Sequence, residues 1–308
     1  MRRGVELVAA AVFCLSVAQA QSGQQKATGA GNETTSYTET YAGLNLEIVW
    51  IPGGTFQMGS RLSPEDMVKR YHGKAGDEKY FTDDHPVHTV TLDGFWMGKF
   101  EVTNAQFRKF RPGHSSNTRH DYDLDADTQP VVNVSWNDAK AFCDWLSEKT
   151  GTSYTLPTEA QWEYTCRAGT ESDRYRGDDD ETMGQSADTS SGVGRDLIRE
   201  WLEKNNVRSN DFSLEKGTAP VGSFKPNKFG LYDMLGNVAE WCLDWFGEKY
   251  YSESPRANPT GPADGKYRVV RGGSWLVVPR NWPTSDRGRL PPRAGSDFCG
   301  FRIVRTRE

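Results

Sequence analysis

The sequence predicts an α+β fold with many loops. Apolar residues recur at helical spacing in short segments only, and the clearest example combines Ala139, Phe142 and Leu146. Strand-like runs are also short, and glycine and proline separate them. The chain shows no internal repeat, and its elements are too few and too short for a repeating βαβ fold. We therefore expect separate short helices and strands joined by long connections.

The two ends of the chain differ in composition from its middle. Residues 1–20 combine Arg2 and Arg3, an apolar stretch and a small-residue end at Ala20, which predicts a secretory signal peptide. Residues 21–40 are rich in Gln, Ser, Gly and Thr, so we expect a flexible tether. Residues 41–308 then form a single domain. The chain is expected to be exported, periplasmic or extracellular, without a membrane span.

The first part of the domain carries strand signals. Residues 46–59 contain two strand-like runs around Pro52, Gly53 and Gly54, which predicts a hairpin. A further strand is expected from His88 to Leu92, with its continuation through residues 95–97. Near the other end of the chain, residues 267–270 and 301–304 also have strand-like composition. These runs supply the β component of the predicted fold.

Three helices are predicted to begin at side chains that can cap a helix, Thr103, Ser135 and Thr158. The second should end at Gly151, and the third near Gly169. A further amphipathic helix is expected around residues 197–202, inside a polar and acidic segment that we interpret as surface elaboration. These short helices supply the α component.

Charge and cysteine spacing exclude several functions. The formal net charge is −5, and removal of Arg2, Arg3 and Glu6 with the signal peptide makes it −6. A mildly acidic chain without a clustered basic face is a poor partner for nucleic acids or anionic membranes. The four cysteines of the mature chain form no CxxC pair, and their apolar neighbours favour buried thiols over disulfides, with any pairing left open; they are Cys143, Cys166, Cys242 and Cys299.

Histidines are few and offer no clear metal site. His85 and His88 flank Pro86 and Val87 just before a strand, so the two imidazoles can lie close together. No third ligand accompanies them in the sequence. A structural or exposed pair is therefore favoured over a metal site.

Seven stretches together resemble the formylglycine-generating enzyme family, also called the sulfatase-modifying factor family. They occur in order along most of the chain: residues 51–59 (IPGGTFQMG), 102–104 (VTN), 134–139 (VSWNDA), 156–164 (LPTEAQWEY), 230–238 (GLYDMLGNV), 271–275 (RGGSW) and 300–302 (GFR). The resemblance implies an irregular, C-type-lectin-like α+β fold with little regular secondary structure. This agrees with the fold class predicted from the patterns above.

The resemblance also implies a calcium site. Relatives hold a cation with oxygens of the segment that matches residues 233–240, which here offers carboxylates at Asp233 and Glu240 and carbonyls at Gly236 and Val238. Two acids near a tight turn would repel each other without a cation. A plain capped turn is the alternative. The family's second calcium site matches poorly, at Asp188, Thr189 and Asp211.

One departure from the family concerns its catalytic metal. Relatives hold copper(I) with two thiolates just after the Gly-Gly-Ser motif and oxidise a cysteine of sulfatases to formylglycine. The matching positions here are Val277 and Trp282, whose side chains cannot bind copper. Cys242 and Cys299 lie near the same C-terminal part of the domain but not at these positions. Copper is therefore not expected as a cofactor.

The groove in which relatives bind an extended peptide can persist without copper. Residues after the Gly-Gly-Ser motif combine aromatic rings with guanidinium groups, a chemistry typical of recognition surfaces: Trp275, Arg280, Trp282, Ser285, Arg287 and Arg289. The alternative is that these side chains form ordinary core and salt bridges. Both interpretations stay open on the sequence.

Two functions of different class are consistent with this sequence. The first is an exported accessory or maturation factor that acts on a peptide or protein substrate without copper chemistry, through an acid or base near Val277 and Trp282. The second is a non-catalytic binding module for a protein, peptide or glycan, with a broad aromatic surface. An active sulfatase-directed oxidase is a third and weaker candidate. The sequence favours the accessory role and identifies no catalytic residue.

Overall fold

The computed structural model describes residues 35–41, 43–70, 75–119, 122–172, 217–276 and 283–305. The predicted signal peptide and the helix predicted around residues 197–202 lie outside these ranges. Four α-helices are described, and they are α1 (Pro64–Arg70), α2 (Asn104–Phe110), α3 (Trp136–Thr150) and α4 (Glu159–Arg167). Short 3-10 turns occupy Asp77–Tyr80 and Tyr250–Ser252.

The described strands are short and distributed over the whole domain. In chain order they are β1 (Ser36–Tyr41), β2 (Leu44–Ile51), β3 (Gly54–Met58), β4 (His88–Leu92), β5 (Phe95–Gly98), β6 (Thr118–Arg119), β7 (Tyr122–Asp123), β8 (Tyr154–Thr155), β9 (Ala239–Trp245), β10 (Arg268–Arg271), β11 (Gly288–Leu290), β12 (Cys299–Gly300) and β13 (Val304–Arg305). Helices and strands thus coexist with long connections, which confirms the predicted α+β class.

The strands form two main sheets and two small ribbons. The first sheet has the order β1-β2-β5-β13-β8, and the second has the order β11-β10-β9-β12. The ribbons are β3-β4 and β6-β7. β13 pairs with β5 on one side and with β8 on the other. The C-terminal strand of the described chain therefore lies inside the first sheet, between two strands that are distant from it in sequence.

The hairpin predicted over residues 46–59 is wrong. Both strands exist, but β2 pairs with β1 and β5, whereas β3 pairs with β4. The Pro52-Gly53 connection carries the chain from the first sheet to the β3-β4 ribbon. A Cβ on Gly53 would lie 2.7 Å from the carbonyl oxygen of Leu92, so only glycine allows this close approach of two backbones.

The tether predicted over residues 21–40 is wrong at its C-terminal end. Residues 36–40 belong to β1, which pairs antiparallel with β2 from Ser36 opposite Val49 to Tyr41 opposite Leu44. Glu39 is buried and accepts a hydrogen bond of 2.7 Å from the Tyr154 hydroxyl. Polar composition suggested a tether, but the pairing partner is an apolar strand that composition alone does not reveal.

The predicted helix starts are confirmed. At Thr103, Ser135 and Thr158 the cap side chain accepts a bond from the backbone N–H three residues on, and the side chain there bonds back to the cap. Helix α3 ends at Gly151, which has a φ of 71°. Helix α4 ends with Ala168 in the left-handed region, one residue before the expected glycine.

Two apolar clusters and a smaller third one form the core. The largest fully buried side chains include Trp162, Trp241 and Trp275. All four described cysteines are buried free thiols, which confirms the preference for thiols over disulfides. Within the described ranges, none of the helices combines the length and the apolar surface that crossing a membrane requires.

Candidate functional site

The Arg-Gly-Gly-Ser-Trp segment lies at the end of β10. Gly272 has a φ of 97°, and a Cβ there would come within 3.0 Å of the Trp162 ring. The two consecutive glycines therefore let the chain turn directly over helix α4. The backbone N–H of Trp275 donates to the carbonyl of Asn237 (2.9 Å), and the N–H of Gly236 donates to the carbonyl of Gly272 (2.8 Å). The segment is thus joined to the turn before β9.

Beneath this segment lies a buried network of ion pairs, which we call the arginine network: Glu159, Glu163, Arg167, Arg271 and Arg287. Arg287 donates to both carboxylate oxygens of Glu159, at 2.6 and 2.9 Å. Arg271 donates to Glu163, which also pairs with Arg167 at 2.8 Å. The side chains of Glu163 and Arg271 are completely buried. These carboxylates can stay ionised away from water because each has a guanidinium partner.

The charge state of the arginine network follows from its contacts. Burial alone would raise the pKa of Glu159, but the Arg287 and Arg271 guanidiniums hold the pKa of this carboxyl below its usual range. Asp244 accepts a hydrogen bond of 2.9 Å from the Glu159 N–H. Burial, and then the charge of Glu159, raises the pKa of Asp244 to about 8. Asp244, which contacts Glu159 of the network, therefore favours its neutral form at neutral pH.

The residues predicted to bind substrate lie at different depths. Trp275 is buried and donates its ring N–H to the carbonyl of Asp297 (2.9 Å). Ser285 and Arg287 are buried as well, the latter within the arginine network. Arg289 is exposed, with its guanidinium 4.6 Å from the centre of the Phe246 ring. Burial of the first three favours core and salt-bridge support, and their part in substrate binding stays a prediction.

Positions 277–282 lie outside the described residues, so Arg280, Val277 and Trp282 are known here only from the sequence.

The cysteine thiols of the domain lie within the described residues. The four described cysteines have no measurable exposure, and burial raises the pKa of each thiol; they are Cys143, Cys166, Cys242 and Cys299. A covered, neutral thiol is a poor ligand for a metal that needs an accessible thiolate.

The segment predicted to hold calcium is a tight turn with three residues at positive φ, Asp233 (57°), Gly236 (97°) and Asn237 (53°). One carboxylate oxygen of Asp233 accepts the Gly222 N–H at 2.5 Å. The other oxygen, Oδ1, is buried and has no hydrogen-bond partner. Glu240 differs, because Arg302 donates to both of its oxygens at 2.7 Å and the Trp162 ring N–H donates to one of them at 2.9 Å.

Glu101 is a further member of this site that the sequence analysis missed. Its side chain is 1% exposed, and neither carboxylate oxygen has a hydrogen-bond partner. Burial, and then the charge of Asp233, raises the pKa of Glu101 well above its usual range. The available signal was one acid between Phe100 and Val102, two residues before the cap of α2. A carboxyl there is unusual because both neighbours are apolar.

We call Glu101 and Asp233 the carboxylate site; the carbonyls of Gly236 and Val238, predicted as ligands from the family motif, belong to the same segment as Asp233. Orphaned buried oxygens are what a cation would satisfy, and oxygen donors suit calcium. Among the described residues, no group of three or more His, Cys, Asp or Glu side chains could hold a metal ion. Backbone carbonyls would therefore have to supply the remaining ligands.

The histidine pair makes hydrogen bonds to protein groups. His85 Nδ1 lies 2.7 Å from the buried Asp84 carboxylate, and its Nε2 lies 2.8 Å from the carbonyl oxygen of Leu62. Asp84 raises the pKa of His85 through this hydrogen bond. His88 Nδ1 lies 3.1 Å from the carbonyl oxygen of Pro86. These contacts are those of a structural pair, as the sequence favoured.

Fold and site together define a loop-rich α+β domain with a Gly-Gly-Ser turn over a buried arginine network and a carboxylate site next to that turn. Comparison with known families gives the same result. Residues 34–307 match the sulfatase-modifying factor enzyme 1-like domain, and the chain belongs to this family. The resemblance found in the sequence motifs is therefore confirmed.

Relatives and solved structures agree with this family. The formylglycine-generating enzyme of Streptomyces coelicolor is 34% identical, over 83% of this chain and 88% of the relative. The mouse enzyme of the same name is 32% identical, over 84% of this chain and 74% of the relative. PvdO from Pseudomonas aeruginosa has a similar structure, with a TM-score of 0.68 at 26% identity, covering 92% of this chain and all (100%) of that one.

A second solved structure supports the fold alone. Treponema denticola variable protein 1 has a TM-score of 0.68 at 23% identity, covering 88% of this chain and 99% of that chain. The predicted irregular α+β fold, C-type-lectin-like and with low regular secondary structure, is thereby confirmed at the level of the formylglycine-generating-enzyme-like fold.

Proposed function

We propose that this protein is an exported accessory or maturation factor that acts on a peptide or protein substrate without copper–thiolate chemistry. The observation that carries the proposal is the pair Val277 and Trp282 at the positions where relatives hold copper with two thiolates. The Gly-Gly-Ser turn and the arginine network beneath it are both present. They support a substrate-binding region like that of the relatives, combined with a different chemistry. Neither an alkyl nor an indole side chain can replace a thiolate on copper(I).

The thiols elsewhere in the domain support the same proposal. Relocating the copper site would require two sulfurs that approach each other and face a cleft. The four described thiols are instead buried without measurable exposure and are held neutral by burial. No hard oxygen ligand of the carboxylate site provides the redox chemistry of copper(I) thiolates.

The activity of the relatives supplies the test. Purified mature protein is incubated with copper(I), oxygen and a Cys-x-Pro-x-Arg peptide, and the peptide mass is followed. We expect no conversion, whereas the Streptomyces coelicolor enzyme converts the same peptide in a parallel reaction. Conversion of the cysteine by this chain would identify it as an oxidase and overturn the proposal.

We also propose that the carboxylate site binds calcium. Support comes from three buried carboxyls that exceed their one guanidinium partner, Arg302, by two negative charges when all are ionised; the carboxyls are Glu101, Asp233 and Glu240. A divalent cation balances this excess. Asp233 and Glu101 would be side-chain ligands, Gly236 and Val238 would supply carbonyls, and Glu240 would lie beside the ion while bound to Arg302. Its effect is structural, because it fixes the turn that holds the Gly-Gly-Ser segment.

Titration calorimetry of chelator-treated protein with calcium chloride tests this directly. We expect a single site that is lost in Asp233→Asn. The matched control is Asp264→Asn, which removes an exposed acid and should bind as the native chain does. Equal binding by both variants would place any calcium elsewhere.

A non-catalytic binding module is the second candidate. It is favoured by an aromatic-lined cleft on the other side of helix α4, which is described next. If the chain binds a ligand there and modifies no peptide, this second function replaces the accessory role.

A further inference from the structure

A cleft of about 400 Å³ lies between β3, the solvent side of α4 and the loop at residue 229. We call it the Tyr164 cleft, and the lining residues that matter here are Phe56, Gln57, Arg61, Tyr164, Glu171 and Phe229. Tyr164 and Trp162 are two positions apart on α4, which places their side chains about 200° apart around the helix axis. Since Trp162 lies under Gly272, the cleft opens on the other side of the helix from the Gly-Gly-Ser segment.

Three aromatic rings form the walls of the cleft and are held in place from behind. The Phe56 and Tyr164 rings are 5.3 Å apart, and the Tyr164 and Phe229 rings are 5.6 Å apart. All three are partly buried against the core cluster that contains Trp162 and Leu231. Each ring therefore has one side in the core and the other side facing the cleft. The Tyr164 hydroxyl donates to the Pro52 carbonyl (3.1 Å), and it lies so close to Gly54 that a Cβ there would be 2.4 Å away. The rings therefore form a preformed surface.

The charged groups around the cleft are already paired. Arg61 donates to Glu171 at 2.6 Å on the exposed rim. Arg167, at the back of the cleft, pairs with the buried Glu163. Burial raises the pKa of Tyr164, so the phenol stays neutral. A charged ligand would thus find no unpaired counter-charge among the described lining residues, whereas a neutral ligand needs none.

The polar rim offers hydrogen-bond donors and acceptors beside the flat rings. Arg61 and Glu171 present a guanidinium and a carboxylate together, and Gln57 adds an amide whose nitrogen donates to Thr89 (3.0 Å). Neighbouring hydroxyl groups can bond to such a mixed rim, while a flat face of C–H groups can pack on an aromatic ring. Among neutral biological molecules, a sugar ring combines both properties. The volume suits a small ligand.

We propose that the Tyr164 cleft binds a neutral pyranose ring of a glycan. The site is separate from the Gly-Gly-Ser segment, so it does not depend on the accessory role proposed above. Binding here would allow the chain to attach to a glycosylated partner or to a polysaccharide while the other side of α4 remains free.

Ligand-observed saturation-transfer NMR with the full mature chain tests the proposal. The probes are the disaccharides cellobiose, maltose, lactose and chitobiose. We expect saturation on the ring C–H protons of at least some of them, and a Kd that rises about tenfold in Tyr164→Ala, because one stacking contact is lost. Phe229→Ala is a second variant that leaves α4 unchanged, and it should weaken binding in the same direction.

Matched controls separate this site from general aromatic contacts. Tyr267→Ala removes a partly buried tyrosine that does not line the cleft and should leave the Kd unchanged. Absence of transfer to every disaccharide overturns the proposal. Equal binding by the native chain, Tyr164→Ala and Phe229→Ala also overturns it. Displacement of a bound disaccharide by a Gly-Tyr-Gly peptide, with tighter binding of that peptide, would reassign the cleft to peptides.

Discussion

Two buried regions of this domain carry charge in opposite ways. In the arginine network, three guanidiniums surround Glu159 and Glu163, and each carboxylate accepts charge-assisted hydrogen bonds. In the carboxylate site, Glu101 and the Oδ1 of Asp233 are equally buried, but no donor group of the protein reaches them and the two carboxyls lie beside each other. In the first region, each carboxylate is neutralised by guanidinium groups of the protein itself. In the second region, Glu101 and Asp233 need either a shared proton or a cation, which is why we propose calcium there and structural support for the first.

The largest expected effect comes from disrupting the arginine network. Arg271→Met leaves Glu163 and Glu159 with fewer partners inside the domain, so the free energy of unfolding should fall by about 3–5 kcal/mol. Urea denaturation measures this loss. Adding Glu163→Gln to Arg271→Met should not restore it, because Glu163 is still paired with Arg167, and Arg167 would then lose its carboxylate partner. A loss as small as that of Arg289→Ala, whose side chain is exposed, would contradict a stabilising role of the network.

Calcium should produce the next largest effect, and in the other region only. At a calcium concentration of 100 times the Kd, binding adds about 2.7 kcal/mol to the free energy of unfolding. We therefore expect calcium to raise the melting temperature of the native chain and of Arg271→Met, and to leave Asp233→Asn unchanged. A calcium response that survives in Asp233→Asn would separate calcium from the carboxylate site.

Asp244 sharpens the comparison through pH, because burial raises its pKa to about 8, further than that of Asp286, a second carboxyl beside the arginine network whose pKa is raised to about 7. Its pKa in the folded chain is about 8, above that of an unfolded aspartate, so the folded state binds the proton more tightly. Stability should then fall as pH rises from about 4 to 8 and level off above. Asp244→Asn keeps an acceptor for the Glu159 N–H and should flatten this profile by on the order of 2 kcal/mol. Urea midpoints at acid and alkaline pH measure the slope, and an unchanged slope would show that Asp244 is not responsible.

The smallest effect has the opposite sign from the first. Glu101→Gln replaces a buried carboxyl that must take up a proton or ionise without a cation, so in the presence of a chelator the variant should be more stable than the native chain by about 1 kcal/mol. With calcium present the order should reverse, because a ligand is lost. Thermal unfolding in both buffers gives the comparison. Destabilisation of Glu101→Gln in chelator would mean that the carboxylate has a protein partner after all.

Local features of this fold could be predicted from the sequence, and distant ones could not. The caps at Thr103, Ser135 and Thr158 were found because a cap and its partner lie three residues apart. The hairpin failed because β2 and β3 pair with strands about 40 residues further on or with a preceding strand, and spacing does not reveal this. Glu101 was missed for a similar reason, since its neighbour Asp233 lies in another segment.

The candidate site shows the same division. Asp233 and Glu240 were selected through the family motif, but the sequence did not reveal that Glu240 is bound on both oxygens by Arg302. Arg287 was expected at a recognition surface, yet its partner Glu159 lies 128 residues away and holds it in the interior. A guanidinium looks the same in a sequence whether it faces a substrate or a buried carboxylate.

Copper(I) binding tests the central functional claim most directly. The native mature chain and the double variant Val277→Cys/Trp282→Cys are titrated with copper(I) against a competing chelator, and sulfur coordination is measured by X-ray absorption. We predict that the double variant acquires a two-sulfur copper site and that the native chain shows none. A native chain that holds copper(I) between two sulfurs would contradict the claim that this domain works without copper–thiolate chemistry.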